Sequence, residues 1–160
     1  NAPLDIFYFS RGCKVLAFNC ADWQVIFKQM RRQYEESTHQ KGVTERGMVN
    51  HAAIAVGYQR AGVWAYPTNF HETFCNNTIK ARAAGAIPVT TALAALNETA
   101  NCPEATLIAH DDPMYDEKFV EACFAAVETG DDVRDRMAMN AIEEFRIENI
   151  VPLWDALMEK

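Results

Sequence analysis

Several features that often identify a class of protein are missing from this 160-residue sequence. It has no run of about 18 apolar residues and no basic-then-apolar leader, so we expect neither a transmembrane segment nor a secretory signal. An excess of positive charge is also missing, because 22 acidic residues outnumber 15 Lys and Arg and give a formal net charge of -7. Nucleic-acid binding depends largely on Lys and Arg contacts with phosphates, so we do not expect a nucleic-acid partner.

Cysteines are few, scattered and odd in number: the sequence has five. None are spaced as Cys-x-x-Cys, the usual pattern of a zinc site or redox centre, and the histidines stand apart from one another. We therefore expect reduced thiols in a cytoplasmic protein, with no metal and no cofactor. The hydrophobic content of 49% is enough for one well-packed domain, which we expect to span residues 1–160.

Apolar segments alternate with amphipathic segments along the chain, a pattern typical of α/β proteins. The alternation predicts a Rossmann-like, mainly parallel sheet with helices on both faces. Strands are predicted over residues 4–9, 48–49, 63–66, 87–90 and 105–109. Helices are predicted over residues 22–36, 50–61, 74–84, 116–128, 131–145 and 148–158. Asn50 and either Asp131 or Asp132 are expected to cap the helices that they precede or begin, and Pro152 is expected to kink the last helix or to confine its regular part to later residues.

The segment from Val63 to Thr99 is the most informative part of the sequence. It predicts a strand, a polar loop, a helix that opens between Phe74 and Asn77, a helix-ending Gly85 and a second strand. In open parallel sheets, ligands bind outside the carboxyl ends of the strands, and a helix N-terminus there offers backbone N–H groups to an anion. We therefore expect the site in the loop of residues 68–77.

The same segment resembles the donor-binding, C-terminal domain of GT-B fold retaining glycosyltransferases of the group 1, or family 4-like, class. That family has Glu-x-Phe-Gly, a second Glu eight positions after the first, a Gly followed by Pro-Val, and a later Glu. The matching residues in this sequence are Glu72, Phe74, Gly85, Pro88, Val89 and Glu98. The sequence departs from the pattern twice, with Cys75 where the family has Gly and Lys80 where it has the second Glu.

The resemblance implies roles for several residues of the loop and of the following helix, and for one later residue. Glu72 is implied as the catalytic residue that holds the donor sugar, and the neighbouring backbone amides bind the pyrophosphate. The other implied donor-binding residues are His71, Thr73, Phe74, Cys75, Asn76, Lys80 and Glu98. The second Glu of the family usually grips the ribose hydroxyls, which Lys80 cannot do because an ammonium group has no hydrogen-bond acceptor.

The first strand leaves two alignments open. If it matches the family's second strand, the chain lacks the loop that supplies an Arg and a Lys to the diphosphate, and the domain is truncated at its N-terminal side. If it matches the first strand, Arg11 and Lys14 fall where those basic residues belong. In both alignments the acceptor domain is absent from this chain, and the resemblance implies that it is separate or missing.

The implied function is transfer of a sugar, as in a hexosyltransferase, from a nucleoside-diphosphate sugar such as a UDP or GDP sugar to an unknown acceptor, with retention and without activity in the isolated chain. No Asp-x-Asp occurs, so the resemblance implies no metal. The alternative is a non-catalytic nucleotide- or protein-binding module derived from that domain, or a fragment of the enzyme. From the residues alone, Glu72 could instead only cap the following helix, Glu98 could equally be a capping acid, and Lys80 could be a solvated surface residue.

Overall fold

The computed structural model describes residues 4–8 and 32–159, which divide between two compact units, residues 1–54 and 55–160. Arg11, Lys14 and the predicted helical residues 22–31 lie outside the described residues. Within the described ranges, no helix is both long enough and apolar enough to cross a bilayer.

The first unit contains two parallel strands, β1 (Leu4–Tyr8) and β2 (Val43–Met48), and a helical segment, α1, at residues 32–38. The strand predicted at residues 48–49 is therefore wrong in its bounds, since β2 ends at Met48. Thr, Glu, Arg and Gly within β2 show no apolar alternation, so its extended conformation depends on pairing with β1 and not on local sequence.

Helix α2 (His51–Arg60) begins immediately after Asn50, as the sequence predicts. The Asn50 side-chain oxygen accepts a hydrogen bond from the Ala53 backbone N–H at 2.9 Å. This bond satisfies one of the N–H groups that a helix leaves unpaired at its start, and it confirms the predicted cap.

The second unit continues the alternation of strands and helices, and each predicted strand and helix in it is present within about two residues of its expected ends. Its elements are β3 (Val63–Tyr66), α3 (Asn76–Ala83), β4 (Ile87–Ala92), α4 (Leu96–Thr99), β5 (Thr106–Ala109), α5 (Tyr115–Val127), α6 (Asp131–Phe145) and α7 (Ile147–Met158). The short helix α4 has no counterpart among the predicted elements.

Strands β3, β4 and β5 form a three-stranded parallel sheet in that order. Tyr66 at the end of β3 pairs with Thr90, and Ala92 at the end of β4 pairs with Ala109 at the end of β5. All three carboxyl ends consequently meet at one edge. The fold is α/β, with a small parallel sheet flanked by helices.

The core lies along the central strand β4. Ile87 and Val89 are buried and cluster with Ala126 of α5 and Met137 of α6. Because side chains alternate along a strand, Pro88 points to the opposite face, where it is also buried. Helices α3 and α4 contact β4 as well. Burial on both faces explains why β4 is an apolar run without polar alternation.

One expectation about helix caps is wrong, and one of the two alternatives for the last helix is excluded. Helix α6 has Gly130 at its N-cap and no side-chain capping bond, so neither Asp131 nor Asp132 is the cap. Both lie in the first turn, where a carboxylate interacts favourably with the helix dipole. Helix α7 contains Pro152 in its interior but is assigned as one helix from Ile147, so its regular part is not confined to later residues.

A buried arginine joins three helices of the second unit. Arg82 of α3 is only 2% exposed. It donates to the Thr99 carbonyl oxygen of α4 at 2.8 Å and to Glu144 Oε2 of α6 at 2.9 Å. Its guanidinium carbon also lies 5.4 Å from the centre of the Phe145 ring. One charged group thereby fixes α3 and α4 relative to α6.

We expect Arg82→Met to lower the free energy of unfolding by about 1–3 kcal/mol, because the buried Thr99 carbonyl loses its charged donor. Urea denaturation followed by tryptophan fluorescence measures the change. Arg136→Met is the matched control on the exposed side of α6, with an expected effect within about 0.5 kcal/mol. Equal midpoints for the two variants would contradict a stabilising role for Arg82.

Candidate functional site

A cleft of about 400 Å³ lies at the carboxyl edge of the parallel sheet. It collects residues from each strand end and from the start of α5. The lining residues are Pro67, Thr68, Asn69, Thr91, His110 and Tyr115. This is the edge at which open parallel sheets bind their ligands.

The floor of the cleft is organised by the buried hydroxyl of Thr91. Its Oγ1 accepts a hydrogen bond from the Thr68 backbone N–H at 3.0 Å and lies 2.6 Å from the Tyr115 hydroxyl oxygen. The Tyr115 ring stacks on Phe119 one turn later in α5. These contacts join the loop after β3 to β4 and α5, and so hold one end of the predicted site loop.

Glu72 is fixed within that loop by three contacts. The Tyr66 hydroxyl donates to Glu72 Oε1 at 2.8 Å. The Glu72 N–H donates to the Phe70 carbonyl at 3.0 Å, and the Glu72 carbonyl accepts from the Ala95 N–H at 3.3 Å. Glu72 therefore contacts the end of β3 and the segment just before α4, and its side chain stays partly open to solvent.

The environment of the Tyr66 hydroxyl changes its pKa. Burial, followed by the hydrogen bond to Glu72, raises the pKa of Tyr66 above its usual value. A phenol that donates to a carboxylate is stabilised in its protonated form, because the phenolate would face a second negative charge. Tyr66 therefore remains a hydrogen-bond donor to Glu72 throughout the neutral pH range.

The start of α3 follows a residue in an unusual backbone conformation. Cys75 has φ 52° and ψ 65°, in the left-handed region, and its buried thiol accepts a hydrogen bond from the Thr78 hydroxyl at 3.2 Å. No side chain caps α3 and its first turn has no acidic residue. The first backbone N–H groups of a helix have no partner within it, so Asn76 and Asn77 present N–H groups that suit an anion.

Among the described residues, none of the predicted site residues lines the cleft, and Glu72 and Cys75 are no exception. His71, Thr73 and Phe74 are exposed loop residues. Asn76 and Lys80 are exposed on α3. Glu98 is exposed on α4, whose N-cap is Ala95, so it is not a capping residue.

Sequence reasoning missed most of the cleft and the partner of Glu72. Thr91, His110 and Tyr115 come from separate elements, and His110 was expected to stand alone. Its position directly after β5 was the available signal, since the carboxyl ends of parallel strands meet at one edge. Nothing local in the sequence indicated that Tyr66 would reach Glu72.

Over the described part of the chain, no group of three or more His, Cys, Asp or Glu residues could hold a metal ion. No protein-family model, curated protein or solved structure matches the chain. A functional assignment therefore depends on the residues of the site and their geometry.

We expect Glu72→Gln to lower the pKa of Tyr66, because the neutral amide removes the negative charge that opposes phenolate formation. The titration can be followed by the NMR shift of the tyrosine ring carbon that bears the hydroxyl. Glu98→Gln changes charge equally on α4 and should leave the pKa of Tyr66 unchanged. A Tyr66 titration that does not respond to Glu72→Gln would contradict the 2.8 Å contact.

Proposed function

We propose that this chain is the donor-binding part of a retaining GT-B fold glycosyltransferase and binds a nucleoside-diphosphate sugar. The observation that carries the proposal is the placement of Glu72. The carboxylate stands at the carboxyl edge of a parallel sheet, held by Tyr66 and followed closely by the uncapped start of α3. A sugar hydroxyl and a pyrophosphate are the neighbouring groups that such a carboxylate and such a helix start would bind.

The backbone at Cys75 supports the same proposal. The family pattern places Gly at this position, and Cys75 has a positive φ of 52°. Left-handed backbone costs an ordinary residue about 1–2 kcal/mol, and Gly avoids this cost. A left-handed conformation at a residue other than Gly, at the position where the family pattern has Gly, would be expected if the site requires this loop geometry.

The chemistry of transfer explains why these groups would be useful. As the nucleoside diphosphate departs, negative charge develops on the pyrophosphate, and fixed N–H dipoles at the start of α3 would stabilise it. Glu72 would accept a hydrogen bond from the sugar and hold the ring in its reacting orientation.

The free cysteines among the described residues, Cys75, Cys102 and Cys123, are consistent with a cytoplasmic location.

A non-catalytic nucleotide-binding module is the second candidate, and Lys80 favours it. Lys80 is exposed on α3 where the family has the Glu that grips ribose. Glycosyl transfer also requires an acceptor domain that closes over the donor and excludes water. The module and the transferase share the donor-binding loop and differ in whether chemistry follows binding.

The purified chain should bind UDP or GDP weakly and transfer no sugar alone, because one domain cannot enclose both substrates. Isothermal titration calorimetry measures the binding, and sugar release from UDP-glucose and GDP-mannose measures turnover. Thr44→Ala, on β2 of the first unit, is the control variant and should bind nucleotide like the unaltered chain. Absence of nucleotide binding would refute the donor-site proposal, whereas acceptor-dependent transfer above a Glu72→Ala control would refute the requirement for a second domain.

Where the ribose hydroxyls reach this face of α3, Lys80→Glu should tighten nucleoside-diphosphate binding by about tenfold, because two hydrogen bonds from the ribose to a carboxylate outweigh the lost attraction between the ammonium group and the diphosphate. The same calorimetric titration with UDP and GDP measures this change. Arg136→Glu makes the same change of charge at an exposed position of α6, and it should either weaken binding or leave the affinity unchanged. If Lys80→Glu behaves like Arg136→Glu, the ribose does not reach this face of α3.

A further inference from the structure

We propose that Tyr66 is the positioning residue for Glu72, and that the pair recognises the sugar portion of an intact nucleotide sugar. The inference rests on the proposed function. Tyr66 would touch neither the sugar nor the diphosphate. It would act through the carboxylate that it holds.

The tyrosine is well suited to this task because the sheet fixes it. Tyr66 is the last residue of β3, and its backbone carbonyl accepts a hydrogen bond from the Thr90 hydroxyl at 2.8 Å. Its ring stacks on Trp64 with the ring centres 5.0 Å apart and an interplanar angle of 29°. A side chain held by strand pairing, a neighbouring hydroxyl and an aromatic contact has little freedom to move its phenol oxygen.

Glu72, by contrast, lies in a loop and depends on this contact for its direction. Its backbone is held at both polar groups, but its side chain has three rotatable bonds that the backbone bonds do not restrict. Among the described residues, the Tyr66 hydroxyl is the one group that bonds its carboxylate, through Oε1. An ionised carboxylate accepts several hydrogen bonds, so Oε2 remains available for a sugar hydroxyl.

In this arrangement, different groups of the protein would bind the two parts of the ligand. The diphosphate would be bound by N–H groups at the start of α3, which do not depend on Tyr66. The sugar would be bound by the oriented carboxylate, which does. Loss of the Tyr66 hydroxyl should therefore weaken binding of the sugar nucleotide and spare binding of the free nucleoside diphosphate.

The experiment compares UDP-glucose with UDP, and GDP-mannose with GDP, by calorimetric titration of the chain and its variants. Tyr66→Phe should weaken the affinity for whichever sugar nucleotide binds by about three- to tenfold, the range of one lost hydrogen bond. The affinity for the matching diphosphate should not change. In a Glu72→Gln background the same Tyr66→Phe change should have much less effect, because the charged partner is already gone. Tyr34→Phe, at an exposed tyrosine of α1, is the matched control and should alter the binding of neither ligand.

The possible outcomes separate the two proposals. If the unaltered chain binds none of the four nucleotides, the proposed function fails, and the positioning role fails with it. If the chain binds but Tyr66→Phe weakens sugar nucleotide and diphosphate equally, or keeps its full effect in the Glu72→Gln background, Tyr66 is structural and the inference alone is overturned. Should Tyr66→Phe not fold, Trp64→Leu removes the ring that stacks on Tyr66 without altering Glu72, and it must give the same selective loss.

Discussion

The parallel pairing of β4 with β3 on one side and β5 on the other is the constraint on which the rest of residues 55–160 depends. The register brings three strand ends to one edge, and the residues that line the cleft come from the strand ends, the loops that follow them and the start of α5. Tyr66 ends β3, Thr91 lies near the end of β4, and His110 follows β5. Burial of both faces of β4 holds this pairing, since Val89 and Thr90 are each fully buried on opposite sides.

The sequence predicts the second unit well because its signals are local. The apolar run of β4 and the helix-ending Gly85, with φ +83°, both follow from short-range preferences. Strand β2 could not be placed as reliably, since its residues lack alternation and their conformation depends on β1. The same distinction applies to the site. The loop after β3 could be predicted from neighbouring residues. The cleft could not, because it combines residues up to 48 positions apart, from Pro67 to Tyr115, whose proximity depends on the strand order.

The last helix, α7, has an apolar face that the described residues leave largely exposed. Helix α7 has no buried residue, and Trp154 and Leu157 are each 63% exposed. The sequence correctly indicated an amphipathic helix, but amphipathicity states only that one face suits an apolar partner. It does not identify the partner. Stability in residues 55–160 therefore comes from the sheet and from the contacts among α3, α4, α5 and α6, with the buried Arg82 as their charged connection.

Charge adds a final constraint on any ligand of the candidate site. A chain with a formal net charge of -7 repels a diphosphate at long range, although physiological salt screens exposed charges beyond about 8 Å. Attraction must then come from groups within that distance. Helix α3 has two basic residues, and Arg82 is already paired with Glu144, which leaves Lys80 as the exposed cation of that helix. The uncapped N–H groups at the start of α3 supply the other positive potential. Under the proposed function, Lys80 therefore offers no acceptor to a ribose, but it adds positive charge to the helix whose start would bind the phosphates.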